Sequence, residues 1–220
     1  VSSSATVEFS PGLLYWDGSK FGFESEQWEC TTDYTSWDNV EHVNHFYWSK
    51  NASVAVAESY SDSGASELDI FFTNADETTA KSDFTVNGET GVWRTLSWLE
   101  WDYLFNTREI NDGTGYGKTC KLSTYPGTSV KGLFIAHDNY TGGFTGDNWE
   151  EEAIADGCVF LPAAGYRDVT YVNFVGNRGY YWSSTPGGRG LAYDLNFNDG
   201  YVSALGAVNR GYGYCVRLVK

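Results

Sequence analysis

The sequence predicts an α+β fold that is rich in loops, with short antiparallel strands and two helices. Twenty-five glycines against four prolines indicate many turns, and apolar residues recur between them in short alternating runs. Two segments have the spacing and the end signals of helices. A chain of 220 residues with 41% hydrophobic and 17% aromatic residues can bury one sizeable core, so we expect a single domain over residues 1–220.

The first elements expected are a strand and a hairpin. Alternation in Thr6–Ser10 predicts a short strand that ends at Pro11. The apolar runs 13–16 and 20–23 are joined by Asp17-Gly18, a dipeptide typical of tight turns, and predict a β-hairpin. Residues 40–87 are polar and match no template apart from a strand at 68–72. We therefore interpret that segment as an insertion in the domain.

Helix signals occur at two places. Ser97 followed by Glu100 is a capping-box pattern, so a helix is expected to begin there and to end near Thr107. The apolar residues that share one face of this helix are Leu96, Leu99, Tyr103, Leu104 and Phe105. A second, shorter helix is predicted from Trp149 to Ala155, with Gly157 just past its end. From Val159 onward the pattern indicates short strands and turns.

The net charge of −15 excludes some classes of partner. Nucleic-acid binding depends on Lys and Arg that neutralise phosphates, and anionic membrane surfaces attract the same residues, so we expect neither partner. No apolar run approaches the length of a membrane span. The chain begins at Val1, and we expect any leader or anchor to lie outside it.

The four cysteines, Cys30, Cys120, Cys158 and Cys215, are far apart and form no CxxC or Cys/His motif. This spacing argues against a zinc site. Cys158 and Cys215 lie in apolar runs and are expected to be inert core thiols in strands. A Cys30–Cys120 disulfide stays open. The histidines, His42, His45 and His137, are predicted in loops, away in sequence from any cysteine, so we expect no catalytic thiol and no enzyme.

The C-terminal region alternates between apolar anchors and variable-looking positions. The anchors are residues 179–186, 192–197 and 214–219, and small, polar and aromatic residues lie between them. From Ser183 to Val219 there is no Lys, Glu, Gln, Trp or Met, although the chain-wide frequency of these types would place about five there. Strands and tight turns disfavour Glu, Lys and Gln, but this preference does not explain the missing Trp in a chain that has nine.

Several of these motifs carry a resemblance to a known family. They are Val7–Gly12, Trp93–Leu96, Trp101–Arg108, Val159–Asp168, Arg178–Thr185 and Val216–Val219. In this order they resemble bacterial proteins with a C-type-lectin-like fold of the formylglycine-generating-enzyme kind. More narrowly, the chain is similar to the variable proteins of diversity-generating retroelements. The resemblance covers about half of the chain, and residues 40–87 depart from it.

The resemblance implies a function. In that family a reverse transcriptase rewrites Asn codons near the end of the gene, and randomising their first two bases excludes Lys, Glu, Gln, Trp and Met. Residues 183–219 would then be a variable region on a ligand-binding display protein. The implied partner is a protein or other macromolecule, and the implied location is extracellular, on a cell or virion surface.

Alternation within the variable region predicts which side chains contact the partner. In residues 193–198, Tyr193, Leu195 and Phe197 share one face, which we assign to the core. Tyrosines are suitable contact residues because they offer a large rigid area and a hydroxyl. The predicted contact residues are Gly187, Gly188, Arg189, Gly190, Asp194, Asn196, Asn198, Asp199, Tyr201, Ser203, Leu205, Gly211, Tyr212 and Tyr214.

Several tryptophans and arginines are interpreted as structural residues. Trp182 is predicted to be a core anchor, and Trp98 and Trp101 to be core or half-buried. Arg167 and Arg217 are expected to have internal ion pairs or backbone hydrogen bonds, because a buried Arg is costly without a partner.

Three alternatives remain. The first is a surface or adhesin module of the same fold that is not diversified. The second is a formylglycine-generating-type oxidase, which needs an activated thiol. The third is a calcium-dependent lectin, although the triplets Glu-Pro-Asn, Gln-Pro-Asp and Trp-Asn-Asp are absent and residues 147–149 have the wrong order. We expect no cofactor, and a structural calcium held by loop carboxylates stays open.

Overall fold

The computed structural model describes residues 2, 5–49, 55–59, 85–108, 119–188 and 190–220. The strand predicted at 68–72 and the predicted contact residue Arg189 lie outside these residues. Within them, the chain forms a mixed α+β structure of short helices and small sheets, as the sequence predicts. None of the helices in the described part of the chain is long and apolar enough to cross a membrane.

The described strands belong to six sheets and are named here in chain order. They are β1 (Leu14–Trp16), β2 (Phe21–Phe23), β3 (His45–Phe46), β4 (Thr85–Val86), β5 (Glu89–Thr90), β6 (Arg94–Thr95), β7 (Cys120–Thr124), β8 (Lys131–Ile135), β9 (Val159–Pro162), β10 (Tyr166–Asp168), β11 (Tyr171–Asn173), β12 (Gly179–Gly188), β13 (Leu191–Asn198), β14 (Tyr201–Asn209), β15 (Tyr214–Cys215) and β16 (Leu218–Val219).

The largest sheet has five strands in the order β14-β13-β12-β15-β3. Strands β12, β13 and β14 form a long antiparallel meander of 10, 8 and 9 residues, so the C-terminal strands are longer than the sequence predicts. Strand β15 pairs in parallel with β12 and antiparallel with β3. The sheet therefore joins a segment near residue 45 to segments more than 130 residues later.

The predicted helix at Ser97 is confirmed. It forms α1 (Trp98–Asp102), which continues as a π-helical turn over Tyr103–Thr107. Both halves of the capping box are present: the Glu100 backbone N–H donates to Ser97 Oγ at 3.2 Å, and the Ser97 N–H donates to Glu100 Oε2 at 2.8 Å. Arg94 holds the same carboxylate through both oxygens, at 2.6 and 2.8 Å.

The face that this helix buries differs in one position from the prediction. Leu99 is 54% exposed, whereas Trp101 and Phe105 are buried in the main core. Trp101, Leu104 and Phe105 are spaced i, i+3 and i+4 and share the buried face, whereas Leu99, two residues before Trp101, points to the other side of the helix. This core also contains the inward residues of the meander, among them Leu195 and Phe197.

The other local predictions have mixed outcomes. The hairpin is confirmed as β1 and β2, and the second helix as α2 (Trp149–Ala155), with Gly157 just beyond it at φ +89°. The prediction of a strand at residues 6–10 is wrong. Glu8 and Lys220 exchange backbone hydrogen bonds at 2.9 Å and Phe9 forms an isolated bridge with Val219, because β16 is too short to pair with a longer ladder.

The start of the predicted insertion at residues 40–87 contributes to the core and to the main sheet. Val43, Phe46 and Trp48 are buried in the second hydrophobic cluster, and β3 is an edge strand of the main sheet. The sequence pattern missed this because only two residues of that segment pair as a strand. Residues 60–84 of the segment lie outside the described residues.

The two arginines expected to have internal partners do have them. The Arg167 guanidinium donates to the Ala57 carbonyl at 3.0 Å and lies 4.4 Å from the ring centre of Tyr47. Arg217 donates to the Pro11 carbonyl at 3.2 Å and to Gln27 Oε1 at 2.9 Å. Neither has a carboxylate partner among the described residues, and burial lowers the pKa of Arg217 to about 10.

Candidate functional site

The alternation predicted for β13 is confirmed, and it places two rows of side chains across the outer face of the sheet. Tyr180, Asn196 and Ser203 are direct partners on three neighbouring strands, so their side chains lie side by side on this face. The next row along the strands contains Trp182, Asp194 and Gly206. On the opposite face, Leu195 and Phe197 are fully buried.

The structure does not bring all the predicted contact residues together. Gly187, Gly188 and Gly190 lie at the turn between β12 and β13, whereas Asn198, Asp199 and Tyr201 lie at the turn between β13 and β14. These turns are at opposite ends of β13, which is eight residues long, so they are about 23 Å apart. The predicted site is therefore two regions.

Four tyrosines form a cluster that we call the tyrosine surface: Tyr166, Tyr180, Tyr212 and Tyr214. The Tyr166 ring is centred 5.4 Å from Tyr180 and 5.0 Å from Tyr212, and in both pairs the edge of one ring faces the other. Tyr212 is 36% exposed, and Tyr166 and Tyr180 are half-buried. Strand β10 comes close to β15 through the bridge of Arg167 with Gly213, which explains why Tyr166 joins this cluster.

Two predicted contact residues, Asp194 and Tyr214, are wrong as exposed positions. Tyr214 is only 3% exposed because its ring is stacked on Trp182, with ring centres 4.3 Å apart, and is covered by Tyr180. It therefore supports the tyrosine surface from beneath. Asp194 has the outward direction that alternation predicts, but neighbouring side chains cover it.

Asp194 is a buried carboxyl with one unsatisfied oxygen. It is 1% exposed, and its Oδ2 accepts a hydrogen bond from Asn196 Nδ2 at 3.0 Å. Its Oδ1 has no hydrogen-bond partner among the described residues and lies beside Gly206, where a Cβ atom would be 2.5 Å from it. Burial raises the pKa of Asp194 to about 6, against the opposing effect of the Asn196 hydrogen bond.

The remaining predicted contact residues are at or near the surface. Leu205 is 60% exposed and Tyr201 is 40% exposed. Leu205 stands at a break in the register between β13 and β14, where Asp194 pairs with Gly206 but Asn196 pairs with Ser203. Ser203, Asn196, Asn198 and Gly211 are half-buried, and Asp199 is exposed.

Sequence reasoning missed an extension of the tyrosine surface. Phe174 is 47% exposed and 6.0 Å from Tyr166 between ring centres. The Arg178 guanidinium lies 4.7 Å from the ring centre of Phe174 and donates to the Tyr180 hydroxyl at 3.3 Å. Tyr180 follows from the alternation that buries Tyr181, so this signal was available. Phe174 follows only from the tertiary arrangement.

The cysteines have a different arrangement from the one expected. None of the four, all of which lie in the described part of the chain, is in a disulfide, so the Cys30–Cys120 bond is not formed. The Cys30 thiol donates to the Thr31 carbonyl at 3.4 Å, and the sulfur atoms of Cys30 and Cys215 and a ring nitrogen of His45 all lie within 4.8 Å of one another. His45, predicted in a loop, is in β3 and fully buried. The sequence spacing gave no sign of this group, because strand pairing assembles it.

Cys158 is expected to be unreactive in the folded protein. It is 1% exposed just before β9, and burial raises the pKa of its thiol to about 11, so little thiolate forms at neutral pH. We expect iodoacetamide to modify Cys158 at pH 7.5 at least about tenfold more slowly in the native protein than in urea, as followed by peptide mass spectrometry. Equal rates in both conditions would contradict the buried placement.

A cleft of about 430 Å³ lies apart from the tyrosine surface. The N-terminal segment 6–11, Arg108, the segment 135–138, Cys158 and Arg217 contribute to its walls. None of the predicted contact residues that the structure describes lines it. Arg108 donates to Asp138 Oδ1 at 3.0 Å across this region.

Comparison with known proteins gives one family match. The model of a family described as a domain of unknown function (DUF8237) matches residues 145–219, about a third of the chain. The matched range begins just before α2 and contains the whole β12–β15 region that bears the tyrosine surface. No curated protein and no solved structure matches the chain.

Proposed function

We propose that this chain is a ligand-binding display protein with a C-type-lectin-like fold of the formylglycine-generating-enzyme kind, and that residues 183–219 are its variable region. The tyrosine surface and its neighbours would bind a protein or other macromolecule on a cell or virion surface. The contact set that we propose keeps Asn196, Asn198, Asp199, Tyr201, Ser203, Leu205, Gly211 and Tyr212 and adds Tyr166, Phe174, Arg178 and Tyr180.

One observation carries this proposal. The stretch from Ser183 to Val219 lacks Lys, Glu, Gln, Trp and Met, and within it a buried frame alternates with accessible positions. Leu195, Phe197 and Val216 are buried completely, whereas Tyr201 and Leu205 are exposed. A restricted set of residue types at accessible positions on a constant frame is what diversification of a display surface would leave.

The chemistry of the surface also supports binding. Tyrosines supply rigid aromatic area together with hydroxyl groups, at a low cost in conformational entropy. Asn196, Asn198 and Ser203 lie beside them and add amide and hydroxyl groups that adapt to different partners. Arg178, which is in contact with both Phe174 and Tyr180, adds a positive charge of the kind that often dominates interface energetics.

Two libraries of the displayed protein test the division into frame and surface. The first randomises four exposed contact residues, Asp199, Tyr201, Leu205 and Tyr212, and the second randomises four buried anchors, Trp182, Leu195, Phe197 and Val216. We expect most members of the first library and few of the second to resist protease in the folded state, because exposed substitutions usually change stability by less than about 0.5 kcal/mol. Equal survival of both libraries would contradict the proposal.

Sequences of sibling genes distinguish diversification from a constant adhesin module of the same fold. We expect siblings to share residues 1–182 closely and to differ mainly after Pro186, at accessible positions. The buried anchors Leu195, Phe197 and Cys215 should stay constant in the same sequences. Differences scattered evenly along the chain would count against a variable region.

A further inference from the structure

Strand pairing assembles a group of three soft metal ligands in the interior. His45 on β3 and Cys215 on β15 are direct partners in an antiparallel pair, so their side chains lie on the same face of the sheet. Cys30, which follows the β1–β2 hairpin, reaches this face from a loop. The two sulfur atoms and a ring nitrogen of His45 all lie within 4.8 Å of one another.

These distances are close to those that a bound ion requires. Zinc binds thiolate sulfur at about 2.3 Å and histidine nitrogen at about 2.0–2.1 Å with tetrahedral angles, which places the ligand atoms about 3.5–3.8 Å apart. Ligand atoms that already lie within 4.8 Å of one another need to move by about 1 Å or less. Side-chain rotations suffice for a shift of this size.

The surroundings of His45 resemble the support that ligating histidines usually have. The Ala164 carbonyl can only accept, so His45 Nε2, 3.1 Å from it, is assigned the ring proton. This leaves the lone pair on Nδ1, which now accepts from the Tyr34 hydroxyl at 3.0 Å. A hydrogen bond from the second ring nitrogen to a carbonyl is the common way in which proteins orient a metal-binding histidine. An ion at Nδ1 would take the place of the Tyr34 proton.

We propose that Cys30, His45 and Cys215 bind one Zn²⁺ ion. Thiolate and imidazole ligands select thiophilic ions, and two thiolates with one Zn²⁺ give a neutral group, which a buried site favours. His45 and Cys215 are completely buried, but Cys30 is partly exposed and provides a route for the ion. Both sulfurs bind as thiolates, and binding releases to solvent whatever thiol protons the pair still holds. The ion would join the loop after β2 to the β3–β15 pair.

Zinc stoichiometry and affinity test the site directly. The reduced protein is incubated with ZnSO₄ and desalted, and its zinc content is measured by mass spectrometry and by competition with a chromophoric chelator. We expect one zinc per chain in the wild type and in Cys158→Ser, which removes a buried cysteine outside the group. Cys30→Ser should bind at least about 100-fold more weakly, because loss of even a second-shell partner costs 10–100-fold.

Two further measurements make the test independent of variant folding. In the wild type, Zn²⁺ should slow alkylation of Cys30 at least tenfold. Co²⁺ should give the charge-transfer absorption of thiolate ligands. Wild-type protein without stoichiometric zinc, equal affinity in Cys30→Ser, or a Cys30–Cys215 disulfide in all of the freshly isolated protein would each overturn the proposal.

Discussion

Replacing Trp182 by alanine is expected to lower the free energy of unfolding by about 3–5 kcal/mol, the usual cost of removing a buried aromatic side chain. The Trp182 side chain is completely buried and stacks on Tyr214, and its Nε1–H donates to the Phe46 carbonyl at 2.7 Å. The substitution would leave a cavity between β12, β15 and β3 and would remove the hydrogen bond to the Phe46 carbonyl. Urea unfolding followed by circular dichroism measures the change.

The matched control for this prediction is Tyr201→Ser, on the same sheet but 40% exposed. Its free energy of unfolding should change by less than about 0.5 kcal/mol. If Trp182→Ala and Tyr201→Ser unfold at the same urea concentration, the assignment of Trp182 to the buried part and of Tyr201 to the exposed part of the sheet is wrong.

Replacing Asp194 by asparagine is expected to stabilise the protein at neutral pH but not at pH 4. The folded-state pKa of Asp194 is raised to about 6, above its value of about 3.9 in unfolded chains. Between these values the folded state holds more protons than the unfolded state, so wild-type stability falls as pH rises through this window. A difference of about two pKa units corresponds to a loss of wild-type stability on the order of 3 kcal/mol above pH 6. Unfolding curves at pH 4 and 7.5 measure this difference.

Asp199→Asn is the control for Asp194→Asn, because Asp199 is an exposed carboxylate at the next turn. The Asp199→Asn substitution should change the free energy of unfolding by less than about 0.5 kcal/mol, as is usual at exposed sites. If Asp194→Asn changes the free energy of unfolding by the same amount at pH 4 and at pH 7.5, burial is not the cause of the raised pKa. The same burial explains why Asp194 does not belong to the tolerant positions that strand alternation alone suggests.

The sequence predicted best what neighbouring residues determine. Ser97 and Glu100 are three residues apart, and their capping box formed as expected because both partners belong to the same turn. Asp17-Gly18 likewise sets the hairpin through local turn geometry. Alternation also assigned Leu195 and Phe197 to the correct face, since side-chain direction in a strand has a period of two.

Prediction failed where burial depends on strands that are distant in sequence. Asp194 points outward as predicted, but Trp182 and Tyr214 on other strands determine how deep it lies. The Cys30, His45 and Cys215 group depends on the pairing of β3 with β15, which no local spacing encodes. Residues 43–48 were assigned to an insertion because they are surrounded by polar sequence, although their apolar side chains complete the core.

The position of β15 has a consequence for the synthesis of the protein. Residues 214–215 follow the whole meander in the chain, yet they lie between β12 and β3 in the sheet. During translation, β12 and β3 lack the strand that pairs with both of them until the predicted contact residues that precede β15 have been synthesised. Such long-range closure makes folding slow and leaves unpaired edges exposed in incomplete chains. Products that stop within residues 190–212 would therefore be substrates for proteases. A stably folded chain is then one in which the segment that bears the contact residues has been synthesised completely.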